Sequence, residues 1–282
     1  MRKLYFLLPG TDGKFACGGL FAELKTLNLA KQICDAEVVT YRQREKDKLF
    51  LDDVLQEQSS KQNLENIIFV ISWGFDIAKL APRLKSYNVV YHAHSAGYGF
   101  KLPGSIPIIT VSRNTLGYWG QLSPHSLIYY LPNQISDEFN NQNLERDIDV
   151  LVLARKSSEY LMQDLVPALK QKCKLELVDY FIEDIAAIFN RSKIYIYDSA
   201  EYWAQQQVTE GFGLQPMEAA ACGCRVFSSL NGGLSDYLDP GFNCYKIAVY
   251  SKEYDMQRIL KFLDNWSPLS LPETFFQEYR RE

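Results

Sequence analysis

The sequence predicts an α/β protein of two domains, each built around a parallel sheet. Short apolar, β-branched runs alternate with segments of helical period through almost the whole chain, as in sheets covered by helices on both faces. The 282 residues exceed the usual size of a single domain. A polar stretch at 132–147 interrupts the apolar pattern. We therefore predict two Rossmann-like domains, 1–140 and 141–265, and an amphipathic helix within 266–282 that packs back on the first domain.

The strands of the first domain are predicted from six runs rich in aliphatic and aromatic residues. They are KLYFLL (3–8), AEVVTY (36–41), NIIFVIS (66–72), NVVYHAH (88–94), PIITVS (107–112) and SLIYYL (126–131). Between them, 19–33 and 76–86 carry apolar residues at helical spacing. Five runs predict the strands of the second domain: DIDVLVLA (147–154), KLELVD (174–179), KIYIYD (193–198), CRVFSS (224–229) and NCYKIA (243–248).

Composition and charge exclude several classes of protein. No apolar run approaches the ~18 residues of a membrane span, and the apolar start at 1–9 is too short for a signal peptide, so we interpret it as the first strand. Six cysteines without CxxC spacing favour reduced thiols and a cytoplasmic location. A net charge of -4 without a basic stripe argues against a nucleic-acid partner. Contact of a local basic patch with the inner face of a membrane is left open.

The junction after the first strand carries paired glycines. Ligands of open parallel sheets bind beyond the carboxyl ends of the strands, where helix N-termini present free amides. Gly18 and Gly19 directly precede a helical run, and glycines there let the backbone approach a phosphate closely. The segment is neither a P-loop nor a GxGxxG fingerprint, so a flexible turn is the alternative.

Two of the three histidines of the chain lie at the end of the fourth strand. His92 and His94 are two positions apart, so both point to one face of that strand. Three interpretations stay open: a substrate-contacting histidine, a buried hydrogen-bonded one, and a metal pair. For the metal pair, no third ligand with suitable spacing is evident nearby.

The first strand of the second domain is followed by adjacent cations. Arg155 and Lys156 precede a helix that Ser157 or Ser158 would cap. At a strand end, such a pair could form the cationic half of a diphosphate clamp. An ordinary charged loop is the alternative.

The stretch 209–236 has the richest pattern of the sequence. EGFGLQPMEAAACG predicts a tight glycine turn followed by a short alanine-faced helix. Glu210 precedes the turn and Glu218 lies in the helix, so the two carboxylates can face one ligand, and a carboxylate accepts two hydroxyls of a diol. The amides of Gly213, Leu214 and Gln215 would bind further hydroxyls or a phosphate. NGGL (231–234) supplies another glycine-rich junction after the next strand.

This stretch resembles the E-x7-E segment and the following Gly-Gly turn of retaining glycosyltransferases of family 4, which have the GT-B fold. The resemblance extends more weakly to the Gly18-Gly19 turn, to His94, to VSR (111–113), to LPN (131–133) and to the Arg155-Lys156 pair, all in the order of the family. It implies two Rossmann-like domains with parallel sheets facing a central cleft. The implied activity is transfer of a sugar from a nucleotide-diphosphate sugar to a glycan, a lipid-linked acceptor or a small molecule.

The resemblance also implies roles for residues of the second domain. Glu210 would contact the donor sugar and Glu218 the ribose diol of the nucleotide. The amides of four consecutive residues would hold the sugar hydroxyls and assist the pyrophosphate: Phe212, Gly213, Leu214 and Gln215.

The remaining implied roles concern the pyrophosphate and the reaction centre. Arg155 and Lys156 would neutralise the diphosphate leaving group. Gly18 and Gly19 would line the interdomain cleft at the pyrophosphate and acceptor side, and His94 would contact the donor sugar at the reaction centre. The nucleotide sugar is a substrate, and no cofactor is expected.

Departures from the family pattern bear on specificity. Arg155 and Lys156 are adjacent, whereas the family spaces its Arg and Lys by several residues. Ser95 stands where an acid usually follows the strand-end histidine, and Asp236 stands where a glutamate often follows the Gly-Gly pair. Residues 199–208 look like an added loop beside the donor site. No Asp-x-Asp motif stands at a strand end, so a metal-independent reaction is expected.

Two other functions are compatible with the sequence. One is a non-catalytic nucleotide-sugar-binding protein, suggested by the short chain and the altered turns. The other is a different GT-B enzyme, such as a sugar-nucleotide epimerase or a phosphorylase, although no cofactor lysine for a phosphorylase can be located.

Overall fold

The computed structural model describes residues 2–15, 17–59, 66–180, 182–247 and 250–280. The chain forms two compact units, Met1–Leu131 and Pro132–Glu282. Residues 132–140, which the sequence assigned to the first domain, therefore lie in the second unit. Backbone hydrogen bonds bring them there, because the Ile135 amide donates to the Tyr279 carbonyl at 2.9 Å. A pattern of apolar residues cannot show bonds of this kind.

The first unit contains a seven-stranded parallel sheet in the order β3-β2-β1-β4-β5-β6-β7. Its strands are β1 (Lys3–Leu8), β2 (Asp35–Thr40), β3 (Leu49–Phe50), β4 (Ile67–Ile71), β5 (Asn88–Ala93), β6 (Ile108–Thr110) and β7 (Ile128–Tyr130). Its helices are α1 (Gly18–Ala30), α2 (Leu51–Ser59), α3 (Gly74–Arg83) and α4 (Arg113–Leu122). The six predicted strands of this unit are confirmed, and the two-residue β3 is additional.

Both faces of this sheet are covered. Along β1, Tyr5 and Leu7 belong to one core cluster while Phe6 and Leu8 belong to clusters on the other face. Alternate residues of a strand point to opposite faces, so a run that is apolar at every position is what a doubly covered sheet requires. The prediction of a parallel sheet rested on this pattern and is confirmed.

The second unit contains a five-stranded parallel sheet in the order β12-β11-β10-β8-β9. Its strands are β8 (Ile148–Leu153), β9 (Leu175–Val178), β10 (Ser192–Tyr197), β11 (Arg225–Ser228) and β12 (Cys244–Lys246). A π-helical turn (Tyr160–Leu165) precedes its helices, which are α5 (Val166–Lys170), α6 (Ile185–Arg191), α7 (Ala200–Gln205), α8 (Leu214–Ala221), α9 (Lys252–Asp264) and α10 (Glu273–Phe276). All five predicted strands of this unit are confirmed.

A buried arginine fastens the start of the second unit to its sheet. Arg146 is 7% exposed, and its guanidinium donates to the carbonyls of Ser192 at 2.5 Å, Phe189 at 3.1 Å and Cys222 at 2.5 Å. Several acceptors satisfy the buried donors, which burial would otherwise penalise. The carboxyl end of α8 and the start of β10 are thereby fixed to one side chain.

The end of the described chain contacts the second unit. The Tyr279 ring lies 5.7 Å from that of Phe212, and the Arg280 guanidinium donates to the Phe139 carbonyl at 2.5 Å. Packing of 266–282 on the first domain stays a prediction. Among the described residues, no helix has both the length and the apolar character needed to cross a bilayer.

Candidate active site

The glycine turn expected from the sequence joins Glu210 to α8. Gly213 precedes the helix with a φ of +78°, a left-handed conformation that glycine adopts without steric cost. A Cβ at this position would lie 2.4 Å from a methyl group of Leu234. Both the backbone angle and the close approach therefore require glycine at this turn.

The Glu210 carboxylate is buried and hydrogen-bonded. The side chain is 6% exposed, and its Oε2 accepts hydrogen bonds from three donors. They are the Tyr197 hydroxyl, the Trp203 indole Nε1 at 2.7 Å and the Ser199 hydroxyl at 3.4 Å. Burial first, and then the charge of Glu210, raise the pKa of Tyr197 well above its ordinary value, so this phenol stays a donor. The bonds fix the carboxylate at the carboxyl end of β10.

Lys156 reaches the other oxygen of this carboxylate. Its Nζ lies 3.8 Å from Oε1 of Glu210 and 4.4 Å from the centroid of the Trp203 ring. Lys156 has a φ of +69°, a conformation that few residues other than glycine adopt. The backbone turn after β8 thus brings the ammonium group to the glutamate, and strained backbone of this kind clusters at functional sites.

Arg155 does not join this pair. Its side chain is exposed, and within the described part of the chain no hydrogen bond or ion pair links it to Glu210. The next residues behave as predicted, since Ser158 Oγ accepts from the Leu161 amide at 3.1 Å and so caps the helical turn. The same hydroxyl donates to Asp198 at 2.6 Å, which ties the Arg155-Lys156 turn to the end of β10.

The second glycine-rich junction supports the Glu210 main chain. The Gly233 amide donates to the Glu210 carbonyl at 2.7 Å. A Cβ on Gly232 would lie 2.3 Å from that carbonyl oxygen, and a Cβ on Gly233 would lie 2.0 Å from the Gly211 carbonyl oxygen. The glycines of NGGL therefore allow two backbone segments to touch.

Aromatic packing holds Phe212, which follows Gly211 in the turn. Phe212 is 2% exposed, and its ring lies 5.2 Å from that of Tyr237. The Tyr237 hydroxyl donates to the Gly213 carbonyl. The turn is thus held by a ring contact at Phe212 and by a hydrogen bond at the Gly213 carbonyl.

The start of α8 is suited to an anion or to hydroxyl groups. The first amides of a helix have no acceptor within it and lie at the positive end of its dipole, and here they belong to Leu214 and Gln215. Glu218 follows one turn later and is half-buried. Burial first, and then the charges of Glu218 and Glu210, raise the pKa of Tyr195 well above its ordinary value. The negative charges of both carboxylates therefore influence the same side chain, Tyr195.

His94 of the first unit belongs to a buried triad with Glu23 and His92. Glu23 Oε2 lies 2.6 Å from His92 Nδ1 and 2.8 Å from His94 Nε2. Burial raises the pKa of Glu23, but the charge and hydrogen bonds of His92 and His94 outweigh it and lower that pKa to about 2. Burial and the charge of His92 lower the pKa of His94. The second ring nitrogen of His94, Nδ1, is buried and has no partner among the described residues.

Glu23 also bears on the metal interpretation. One ligand atom from each of Glu23, His92 and His94 lies within 4.8 Å of the others, and such a donor set suits zinc. No third ligand was evident near the histidines in the sequence, and α1 supplies one, Glu23, from a distant part of the chain. As the side chains stand, Oε2 engages both rings, so hydrogen bonds account for the triad.

Gly18 and Gly19 begin α1. A Cβ on Gly18 would meet no atom within 4 Å, and one on Gly19 only the Cys17 sulfur at 4.0 Å. The start of this helix is therefore open, as a close approach of a ligand to its backbone would require. Nothing in the packing of the described residues demands glycine at these two positions.

Comparison with known proteins identifies the family of this chain. A model of the glycosyl transferases group 1 matches residues 133–279, more than half of the chain. The chain belongs to this family. The glycosyltransferase match covers β8 to α10 and so contains the Lys156–Glu210 pair and α8.

Solved structures of glycosyltransferases share the fold. Sucrose-phosphate synthase from Thermosynechococcus elongatus aligns with a TM-score of 0.67 at 13% identity, over 99% of this chain and 93% of that protein. HepE from Anabaena, solved with UDP, gives 0.64 at 15% identity, over 94% and 90%. A Rickettsia africae glycosyltransferase gives 0.64 at 13% identity, over 94% and 88%. The expected GT-B fold is confirmed. No curated protein sequence matches this chain.

Sequence reasoning missed several residues that contact the expected site residues, among them Tyr197, Ser199, Trp203 and Glu23. Trp203 lies in the segment 199–208 that looked like an added loop, and nothing in the sequence indicated its bond to Glu210. Glu23 left a signal, since it lies among Leu20, Ala22 and Leu27, the other buried residues of α1. An acid among such residues indicates a buried partner.

Proposed function

We propose that this glycosyltransferase moves a sugar, with retention of anomeric configuration, from a nucleotide-diphosphate sugar to a glycan, a lipid-linked acceptor or a small molecule. The observation that carries the proposal is the Lys156–Glu210 pair beside the start of α8, within the part of the chain that matches the family. It combines a cation, a fixed carboxylate and helix-end amides, which are the groups that a diphosphate sugar requires.

The roles of the donor-binding residues follow from their chemistry. Glu210 accepts hydroxyls of the donor sugar, and the amides from Phe212 to Gln215 bind further hydroxyls and the pyrophosphate. Glu218 accepts the ribose diol, because a carboxylate offers two oxygens to two neighbouring hydroxyls.

Departure of the nucleoside diphosphate builds negative charge on the phosphate. Lys156 lies where its ammonium group can neutralise that charge, and the dipole of α8 adds to the effect. Exposed Arg155 is the second cation of the proposed clamp. Cations and amides fixed in advance stabilise the transition state without reorganisation. We propose that the reaction therefore needs no metal ion and that activity survives treatment with EDTA.

In the first unit, we propose that His94 contacts the donor sugar. Glu23 fixes the orientation of the His94 ring by engaging its Nε2. The open start of α1 at Gly18 and Gly19 serves the pyrophosphate and acceptor side.

The choice of donor to test first comes from a similar structure. HepE from Anabaena has been solved in complex with UDP-glucose, which supports a UDP-hexose as the first candidate. We further propose that the enzyme acts in polysaccharide or glycoconjugate biosynthesis in the cytoplasm, at the inner face of the membrane when the acceptor is lipid-linked.

The test combines binding with turnover. Thermal unfolding is measured with UDP-, GDP- and ADP-sugars, because a ligand that binds only the folded state raises its stability. The stabilising donor is then used, in labelled form, to measure hydrolysis and transfer by the wild type and by Glu210→Ala. We expect the substitution to lower turnover by about 100-fold or more, as for removal of a fixed electrostatic contact at a transition state.

Glu253→Ala is the matched control, because Glu253 is an exposed glutamate on α9 of the same unit. It should leave turnover unchanged. Equal turnover by Glu210→Ala and the wild type would refute the role of Glu210. Stabilisation by a donor without hydrolysis or transfer to any acceptor would instead indicate a non-catalytic nucleotide-sugar-binding protein.

A further inference from the structure

Trp203 is the one side chain described above that contacts both charges of the Lys156–Glu210 pair. The edge of its indole donates from Nε1 to Glu210 Oε2 at 2.7 Å, and its face lies 4.4 Å from Lys156 Nζ. Neither contact is explained by packing, because each uses a specific part of the ring. The indole N–H requires an acceptor, and the ring face attracts a cation.

The geometry of the pair shows what these contacts change. Lys156 Nζ and Glu210 Oε1 are 3.8 Å apart, whereas a hydrogen-bonded ammonium–carboxylate pair closes to about 2.8 Å. The ring face offers the ammonium a second attraction, while the indole N–H and the Tyr197 hydroxyl hold the carboxylate by its Oε2. The two charges therefore stay near each other without forming a closed ion pair.

The segment that carries Trp203 is anchored at both ends. The Trp203 amide donates to the Ser199 carbonyl at 3.1 Å, and the Val208 amide donates to the Trp203 carbonyl at 3.2 Å. At the start of α7, Glu201 accepts from the Glu159 amide at 2.8 Å. The backbone that carries the indole is thus held in place by neighbouring residues of the fold.

We propose that Trp203 is a positioning residue that determines how the donor sugar is recognised. It keeps Lys156 and Glu210 apart, so that the ammonium group stays available to the diphosphate and Oε1 of Glu210 stays available to a sugar hydroxyl. The inference rests on the proposed function, since it assigns those two partners to one nucleotide-sugar donor. It also predicts that the two contacts of the indole can be removed separately.

Two substitutions separate the edge of the ring from its face. Trp203→Phe keeps an aromatic face for Lys156 but removes the N–H donor to Glu210. We expect it to weaken nucleotide-sugar binding and to lower kcat/KM by about tenfold, the effect of one hydrogen bond to a charged group. Binding of the nucleoside diphosphate alone should stay within about twofold of the wild type. Trp203→Leu removes both contacts, and it should also weaken binding of the nucleoside diphosphate.

Trp266 offers a matched control in the same unit. It too donates from Nε1, to the Lys193 carbonyl at 3.3 Å, and it too has a cation, Arg146, over its ring at 5.6 Å. Trp266→Phe removes a comparable N–H donor away from the proposed donor site. This substitution should leave unchanged the ratio of the binding constant for the nucleotide sugar to that for the nucleoside diphosphate. Equal loss of both ligands in Trp203→Phe, or loss of neither, would overturn the proposal.

An NMR measurement tests the positioning without any donor. The chain has four tryptophans, and the indole N–H signal of Trp203 is assigned from the spectrum of Trp203→Phe. We expect Glu210→Gln and Lys156→Met to move this signal and to leave that of Trp266 in place. If neither substitution moves it, the positioning role is wrong. If the signal moves but no nucleotide sugar binds or reacts, the proposed function fails while the contact stands.

Discussion

Replacement of Gly233 by alanine tests the backbone contact that supports Glu210. Gly233 has no positive φ, so its substitution adds a methyl group without backbone strain. The new Cβ would lie 2.0 Å from the Gly211 carbonyl oxygen, closer than real Cβ contacts come. The two backbone segments must therefore separate by about 1 Å, since close-packed interiors leave no other room.

The expected magnitude has two parts. Overpacking of this kind destabilises by roughly 1–3 kcal/mol, and loss of the Gly233–Glu210 backbone hydrogen bond adds about 1 kcal/mol. The free energy of unfolding should fall by about 2–4 kcal/mol, as measured by urea denaturation. A displacement of about 1 Å at the turn should also lower sugar transfer by about 100-fold.

Gly117→Ala is the matched control for this substitution. Gly117 lies within α4, is exposed, and a Cβ there would meet no atom within 4 Å. Alanine should raise the free energy of unfolding by up to about 1 kcal/mol, because glycine is a poor helix former, and transfer should not change. The reasoning is refuted if Gly233→Ala unfolds within about 0.5 kcal/mol of the wild type and keeps full transfer.

Three further predictions concern stability. Because the folded-state pKa values of His94 and Glu23 are lowered from 6.5 and 4.5, the unfolded chain binds protons first, and the free energy of unfolding should fall below pH 6.5 and further below pH 4.5. Urea denaturation from pH 7 to 4 measures this free energy. Glu23→Gln should reduce its fall below pH 4.5, and a rise toward pH 4 would contradict the prediction. Arg146→Met should lower the free energy of unfolding by about 3 kcal/mol, because buried carbonyls lose a charged donor, and no loss would refute that anchoring role. Ser112→Ala should cost about 1 kcal/mol by removing the capping box with Thr115, and thermal unfolding unchanged from the wild type would contradict this.

Local sequence patterns were sufficient for the sheets and for the main turn. β1 is apolar at every position from Leu4 to Leu8 because both of its faces are covered, so its pattern carries the information directly. Gly213 and the NGGL glycines were also visible, since turns and close backbone contacts exclude other residues. A single sequence is therefore sufficient to predict features that depend on nearby residues or on steric exclusion.

The partners of the site residues could not be predicted in the same way. His92 and Glu23 are 69 positions apart, and only the packing of α1 on the sheet brings them together. Trp203 lies close to Glu210 in the sequence, but its contact with the carboxylate depends on the turn that follows α7, where Gln207 has a φ of +56°. A hydrogen bond between side chains leaves no periodicity, so a single sequence does not reveal it.

The pairing of Ile135 with Tyr279 also constrains the order in which the second unit assembles during synthesis. The sheet of the first unit is complete in sequence at Tyr130, so that unit can fold as it leaves the ribosome. The Ile135–Tyr279 hydrogen bond and the contact of Arg280 with Phe139 must wait until residues 279 and 280 have been translated. Until then the segment after Leu131 is without its final partners, and closure of a loop of this length is a late step in folding.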